Sequence, residues 1–149
     1  MSTLLLRQAR HDDLPGLQTL YRQFSPSSPE PDEPAALAAW QALLADPKIH
    51  VLVAERGELL GTVTLVVVPN LTQGAWPYAL IENVVTHADA RGQGIGTALM
   101  SRAVDLGRAL GAYKVMLVTG RRAPEVHRLY AKSGLRSGAT AYFARLDKE

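Results

Sequence analysis

The sequence predicts one domain over residues 1–149, an α/β chain of the α+β type. Its sheet should be mixed and mostly antiparallel, with about four helices packed on it. Three observations carry this. Apolar residues make up 47% of the 149 and charged residues 20%, a balance that buries one core rather than leaving a disordered chain. Strand patterns come first as neighbours in hairpin spacing, then alternate as strand–helix–strand–helix–strand. No internal repeat or low-complexity tract interrupts them.

TLLLRQA (3–9) reads as a first strand. HDDLPGLQTLYRQF follows as a helix, with Asp12 or Asp13 placed to cap it and Leu14, Leu17, Leu20, Tyr21 and Phe24 on one stripe. SPSSPEPDEP (25–34) holds four prolines, which rule out a helix or central strand. It reads as a loop inside the domain, since the 24 residues before it cannot build a core. Pro34 then suits a first helical turn, Asp32 and Glu33 sit near its positive end, and Leu37, Trp40, Leu43 and Leu44 form its apolar face. IHVLVAE (49–55) and LLGTVTLVVV (59–68) flank Arg56-Gly57-Glu58 as a hairpin, and PYALIENVVT (77–86) is a further strand. A helix over roughly 94–110 carries Ile95, Leu99, Ala103, Leu106 and Leu110 at helical spacing, with Gly111 as its cap. YKVMLVT (113–119) is a short buried strand, APEVHRLYAKSG (123–134) a helix ending at Gly134, and ATAYFARL (139–146) alternates like a last strand.

Composition removes several classes of function. The apolar run from Leu59 to Pro69 is too short to cross a bilayer, so no membrane partner is expected. The opening MSTLLLRQARHDD has only three consecutive leucines before its charges, unlike a secretion signal. With no cysteine there is no disulfide framework and no thiolate nucleophile, and a cytoplasmic location is expected. No histidine–carboxylate cluster has metal-ligand spacing, so no metal is expected. Net charge is only +2 and no basic stripe is interleaved with aromatics, which argues against a nucleic-acid partner. Cations do crowd together from Arg91 to Arg136, as solvated faces or as a surface for a polyanionic small ligand.

RGQGIG (91–96) is the most informative stretch, because three glycines in five residues are costly to order. A P-loop is excluded, since Gly96-Thr97-Ala98 lacks the lysine. A dinucleotide fingerprint is excluded too: the spacing is G-x-G-x-G, and five residues separate it from the strand. What remains is an anion cradle, in which glycines let backbone approach, a helix start offers free N–H groups, and Arg91 adds a charge-assisted bond. A tight turn with no ligand uses the same residues.

The surroundings narrow this choice. ALIENVVT, a HADA turn, RGQGIG and the helix TALMSRAVDLGRALG together resemble the cofactor-binding core of the GNAT superfamily of N-acetyltransferases. The family signature Gln/Arg-x-x-Gly-x-Gly/Ala is matched by Arg91, Gly94 and Gly96, and its second motif by Leu129-Tyr130 followed by Gly134-Leu135. The likeness is sharpest over 80–135. It implies a GNAT-like fold whose sheet splays at the acetyl-CoA strand, and acetyl transfer from acetyl-CoA to an amine. It also implies that the CoA pyrophosphate lies on Arg91, Gly92, Gln93, Gly94, Ile95 and Gly96, with Thr97 beginning the helix. The pantetheine arm would run beside Val84, Val85 and Thr86, and a bulge would turn an N–H toward the thioester carbonyl. Relatives are often dimers, so a homodimer is one arrangement to expect. One departure stands out: the asparagine common seven residues before the tyrosine is Ala123 here, so Arg121, Arg122 or Arg128 would have to supply that contact.

An amine attacking a thioester must be neutral, its oxyanion stabilised and the leaving sulfur protonated. Alkyl ammonium groups titrate near about 10.4, so a base or a water chain must deprotonate them. Tyr130 fits the acid by its place in the second motif; packing beside Leu129 is its structural alternative. Glu82 fits the base, as the acidic side chain on the strand that passes the thioester; pairing with an arginine is its alternative. His87 and His127 read as surface or capping groups. Asn83 replaces the aspartate of an IEDVV segment typical of glucosamine-6-phosphate N-acetyltransferases, which marks it as a substrate-side residue without carrying over that sugar. The acceptor stays open among amino sugar phosphates, aminophosphonates, amino acids, polyamines and protein termini or lysines. A non-catalytic acyl-CoA sensor on the same fold and a nucleotide module are the competing readings.

Overall fold

Alternation sets the architecture, because successive strand residues must point to opposite faces of a sheet. A computed structural model, which describes residues 3–147, builds five strands in the order β1 (Leu5–Gln8), β2 (Ile49–Arg56), β3 (Glu58–Val68), β4 (Tyr78–Thr86) and β5 (Val115–Met116). All pairings are antiparallel except β4 with β5, which is parallel. Five helices accompany them: α1 (Leu14–Phe24), α2 (Glu33–Ala45), the single turn α3 (Thr72–Ala75), α4 (Ile95–Ala109) and α5 (Pro124–Lys132). Strand β2 shows how the layers form. Val51 and Val53 pack with Leu17 and Trp40 of α1 and α2, whereas Leu52 and Ala54 pack with Leu99 and Met100 of α4. The sheet is thus sandwiched between α1–α2 and α4.

Local signals fixed most boundaries. Gly57, at φ 78, turns the β2–β3 hairpin, and Asp32 caps α2 by accepting from Ala35 N at 2.9 Å. Gly111 and Gly134 end α4 and α5 in the left-handed region, as their spacing predicts. Four expectations need correction. Asp13 does not cap α1 with its side chain. Its carboxylate instead accepts two bonds from Arg7, at 2.7 and 2.9 Å, and one from Arg10 N at 2.6 Å. The apolar face of α2 is built on Ala36 and Trp40, while Leu37 and Leu44 stand partly in solvent. Strand β5 pairs over two residues only, because β4 bends away beyond Leu80. Residues 139–146 form no strand and are exposed, since no neighbouring backbone comes alongside to pair with them.

Two features of β4 position the site. Thr62 pairs with Val85 but Thr64 pairs with Glu82, so Asn83 and Val84 together oppose the single residue Val63. This is a β-bulge, and Asn83 takes its left-handed conformation at φ 54, one of the few non-glycine residues that tolerates it. On the other side, β4 bonds to β5 only at Ala79↔Val115 and Leu80↔Met116. From Ile81 to Thr86 the two strands part, leaving a wedge that opens toward the start of α4.

Candidate active site

The glycine loop sits at the mouth of that wedge. Gly92 and Gly94 have φ of 78 and 80, a conformation that strains any residue with a Cβ, and a Cβ at either would meet open space. Gly94 is the N-cap of α4, and no side chain caps this helix. The first N–H groups of a 15-residue helix therefore face outward with the positive end of its dipole. Gly96 is there for a different reason: a Cβ on it would lie 3.3 Å from both Leu129 of α5 and the hydroxyl of Thr86 on β4. It lets α4 begin close against β4 on one side and α5 on the other. Gln93 is engaged from outside, its carbonyl oxygen accepting from Arg56 of the β2–β3 hairpin at 2.6 Å.

Tyr130 stands on α5, half-buried and packed on the α4 side of the core. Burial pushes its phenol above the ordinary value, while the Arg121 charge and the nearby Thr119 side chain pull the other way. Thr119 follows β5 in the chain, so its nearness to the phenol brings α5 beside the far arm of the wedge. Arg121 spans the gap: its guanidinium lies 4.8 Å from the Phe24 ring centroid and donates to Phe24 O at 3.1 Å. Gln23, its neighbour on α1, accepts from Ala88 N, in the 3-10 turn that follows β4, at 2.8 Å. The last turn of α1 therefore touches the segments that follow β4 and β5.

Glu82 is exposed on β4 and forms no ion pair among the described residues, so its alternative as an arginine partner is not realised there. Its cross-strand neighbour is Thr64, whose side chain lies near the Tyr21 hydroxyl. Asn83, Val84, Val85 and Thr86 line β4 from the bulge to the wedge mouth, and Arg91 and Thr97 flank the glycine loop. The structure thus brings the cradle residues, the bulge and Tyr130 around one wedge. His87 caps the 3-10 turn Ala88–Ala90, accepting at Nδ1 from Asp89 N at 3.1 Å, and His127 bonds Arg121 O at 2.8 Å. Of the acids in the proline loop, Glu30 pairs with Arg22 at 2.8 Å and Asp32 caps α2.

Tyr21, Gln23 and Phe24 are the neighbours that sequence reasoning passed over as stripe residues of α1. Nothing in a helical stripe distinguishes a tyrosine that only packs from one whose hydroxyl reaches a strand. An apolar cavity of about 240 Å³ also separates α1 from α2, walled by Leu17, Tyr21, Trp40 and Leu43, with Arg22 and Glu30 at its rim. It lies apart from the glycine loop and Tyr130. Among the described residues, no group of three His, Asp or Glu could hold a metal ion, and no helix is long and apolar enough to cross a membrane.

Residues 14–135 match the family model described as the acetyltransferase (GNAT) family, which covers both the wedge and the glycine loop. The chain belongs to the GNAT acetyltransferase family. As a GNAT it is an acetyl-CoA-dependent acyltransferase. It is 35% identical to glucosamine 6-phosphate N-acetyltransferase 1 of Oryza sativa subsp. japonica over 123 residues, 80% of this chain and 72% of that protein. It is 30% identical to aminoalkylphosphonate N-acetyltransferase of Salmonella typhimurium over 130 residues, 87% of this chain and 82% of that one. A putative acetyltransferase from Agrobacterium tumefaciens shares the fold at a TM-score of 0.90 and 43% identity, covering 95% of this chain and 99% of the other.

Proposed function

We propose that this GNAT protein transfers the acetyl group of acetyl-CoA directly to the primary amine of a small molecule. The observation that carries the reading is the β4 bulge at Asn83–Val84, set in the wedge between the uncapped start of α4 and Tyr130. The cradle fits a pyrophosphate. Gly92 and Gly94 leave open the space that side chains would fill, and the N–H groups from Arg91 to Thr97 can receive phosphate oxygens. Val84, Val85 and Thr86 have no strand partner on the wedge side and can pair with the pantetheine amides as an added strand would. When bound, acetyl-CoA supplies the thioester.

This chain's residues then divide the work. A backbone N–H freed by the bulge polarises the thioester carbonyl and holds the oxyanion as it forms. Glu82, exposed to solvent on the acceptor side, takes the amine proton directly or through water. Tyr130 keeps its proton through neutral pH, because burial raises it, and donates it to the departing sulfur. Two of the relatives are named for amines that also carry a phosphorus oxyanion, so the acceptor class proposed is a small amino phosphate or phosphonate. Arg121, between Tyr130 and α1, and the exposed Arg122 are the cations offered to that anion, and Asn83, exposed at the β4 bulge, is the substrate-side residue. The reading includes a cytoplasmic location.

The test is thiol release from acetyl-CoA with glucosamine 6-phosphate, an aminoalkylphosphonate, an amino acid, a polyamine and a peptide. Release with either phosphorus-bearing amine is expected. Release with the peptide alone would overturn the small-molecule acceptor. Thermal stabilisation by ATP or NAD without any by acetyl-CoA would overturn the acetyl-CoA site itself.

A further inference from the structure

The apolar cavity between α1 and α2 takes no part in the proposed reaction, and the residues around it hold it open. Pro26, Pro29 and Pro31 stiffen the link between the two helices, because each fixes its own φ. On α2 the facing positions are the small Ala36 and Ala39, which leave room opposite Leu17 and Tyr21.

The polar groups of the walls are engaged with one another. Trp40 Nε1 donates to His11 O at 2.9 Å, so the Trp40 ring serves the cavity as apolar surface. Arg22 pairs with Glu30 at 2.8 Å, Ser25 and Ser28 hydrogen-bond each other, and the Tyr21 hydroxyl lies near Thr62 and Thr64 of β3. Gln18 is the wall amide left without such a partner among the described residues. Walls of this kind offer little to a charge, and they select a ligand by shape and apolar surface with one polar atom to orient it. Size narrows the class further. An apolar cavity of about 150 Å³ takes a benzene ring. At about 240 Å³ this one has room for a second, fused ring.

We propose that the α1–α2 cavity is a second binding site, for an uncharged bicyclic aromatic molecule of indole size. Its rings pack against Trp40 and Tyr21, and the Gln18 side-chain oxygen accepts its one N–H. Burying such a ring removes about 150–250 Å² from water, which corresponds to a dissociation constant of about 0.03–2 mM. The cavity also reaches the last turn of α1. Tyr21 and Arg22 wall it, and the next two residues, Gln23 and Phe24, accept from Ala88 N and from the Arg121 guanidinium. A bound ring therefore steadies the turn that holds Arg121. Only the bearing of Arg121 on the acceptor rests on the acetyltransferase reading.

Titration calorimetry of the full chain with indole tests the site. One molecule per chain should bind in that range, and amides of residues 21–24 should exchange at least about threefold more slowly with indole present. Ala39→Phe fills the cavity and should weaken indole at least about tenfold while keeping the circular dichroism, because residue 39 is exposed on α2. Gln18→Leu should weaken indole about threefold to tenfold and leave 1-methylindole, which lacks the N–H, unchanged. No binding within that range overturns the proposal, as does binding that Ala39→Phe leaves intact. Tighter binding of tryptamine or indole-3-acetate would show that the cavity takes charge, and overturns the uncharged class. In thiol-release assays the amine KM should not rise with indole; a rise would make the cavity part of the acceptor site and overturn a second site. If the acetyltransferase reading alone fails, thiol release is absent while indole still binds.

Discussion

Gly61→Ala and Gly16→Ala introduce the same atom with nearly the same overlap, and the structure predicts opposite results. A Cβ on Gly61 would stand 2.8 Å from Leu99 Cδ1, 3.0 Å from Ile95 Cγ2 and 3.1 Å from the backbone oxygen of Val85. Carbon pairs are at their best separation near about 3.5–4.0 Å, so relief requires α4 to lift from the sheet by roughly 0.5–1 Å. None of these neighbours can give way alone, because Leu99 and Ile95 are fully buried and the third is main chain of β4. Overpacking of this kind costs about 1–3 kcal/mol. Alanine also restricts the unfolded chain, which offsets about 0.4–1 kcal/mol. The net loss is about 1–2 kcal/mol, a fall in melting temperature of about 2–8 °C for a domain of this size.

At Gly16 the new Cβ would lie 2.9 Å from Leu59 Cδ1, 3.0 Å from its Cγ and 3.4 Å from its Cβ, all on one half-buried side chain whose χ1 rotation relieves the two close contacts. Gly16 is also inside α1, where alanine is favoured by about 1 kcal/mol. Its melting temperature should hold or rise by up to about 4 °C. A functional difference should accompany this one. Gly61→Ala moves the first turn of α4, which carries the glycine cradle, so its KM for acetyl-CoA should rise while that of Gly16→Ala does not. Thermal and urea unfolding of both variants, with KM from thiol release, decide the matter. Equal shifts, or a Gly61→Ala change within about 0.5 kcal/mol, would refute the packing argument.

Tyr130→Phe should lower kcat while leaving acetyl-CoA affinity nearly intact; unchanged turnover would remove the phenol from the acid role. Glu82→Gln should flatten or displace the basic-side rise of the pH–rate profile, and an unaltered profile would leave deprotonation to water. Asp13→Ala removes the two hydrogen bonds that the Arg7 guanidinium donates to Asp13 but leaves its ion pair with Glu55 at 2.9 Å, and should cost about 1–3 kcal/mol in urea unfolding at neutral pH. The Arg7 hydrogen bonds hold the Asp13 carboxyl below its ordinary value. Their contribution is therefore complete above about pH 4, the unfolded carboxylate range, and is lost as pH falls through the lower native value. The variant should lack that acid-side loss, and acid titrations of both proteins monitored by circular dichroism check it.

Elements whose hydrogen bonds close locally were legible residue by residue. The helix expected over 94–110 spans Ile95–Ala109, and the hairpin turns on Gly57 as its spacing indicates. The bulge was expected only through the family resemblance. In the structure it explains Asn83, which occupies a left-handed position that a β-branched residue would resist. Asp13 shows the opposite case. An aspartate before a helix reads as a cap, but the carboxylate went to Arg7, six residues back in sequence and brought near by the β1–α1 turn. With two charge-assisted bonds from Arg7 and one from Arg10 N, the carboxylate is turned toward β1 and away from the first N–H groups of α1.

The sequence alone therefore determined the family, the glycine loop at the start of α4 and most of the helices, because these depend on spacing within a few residues. Tertiary structure decided what spacing cannot encode. It set where β4 leaves β5, so that YKVMLVT pairs over Val115–Met116 only. It carried the end of α1 across the wedge, where Phe24 meets Arg121 across 97 positions. It also left ATAYFARL without a partner, although its pattern is that of a strand. A helix satisfies its backbone from within. A strand becomes one only when another backbone lies beside it, and its own residues do not say which backbone, or whose.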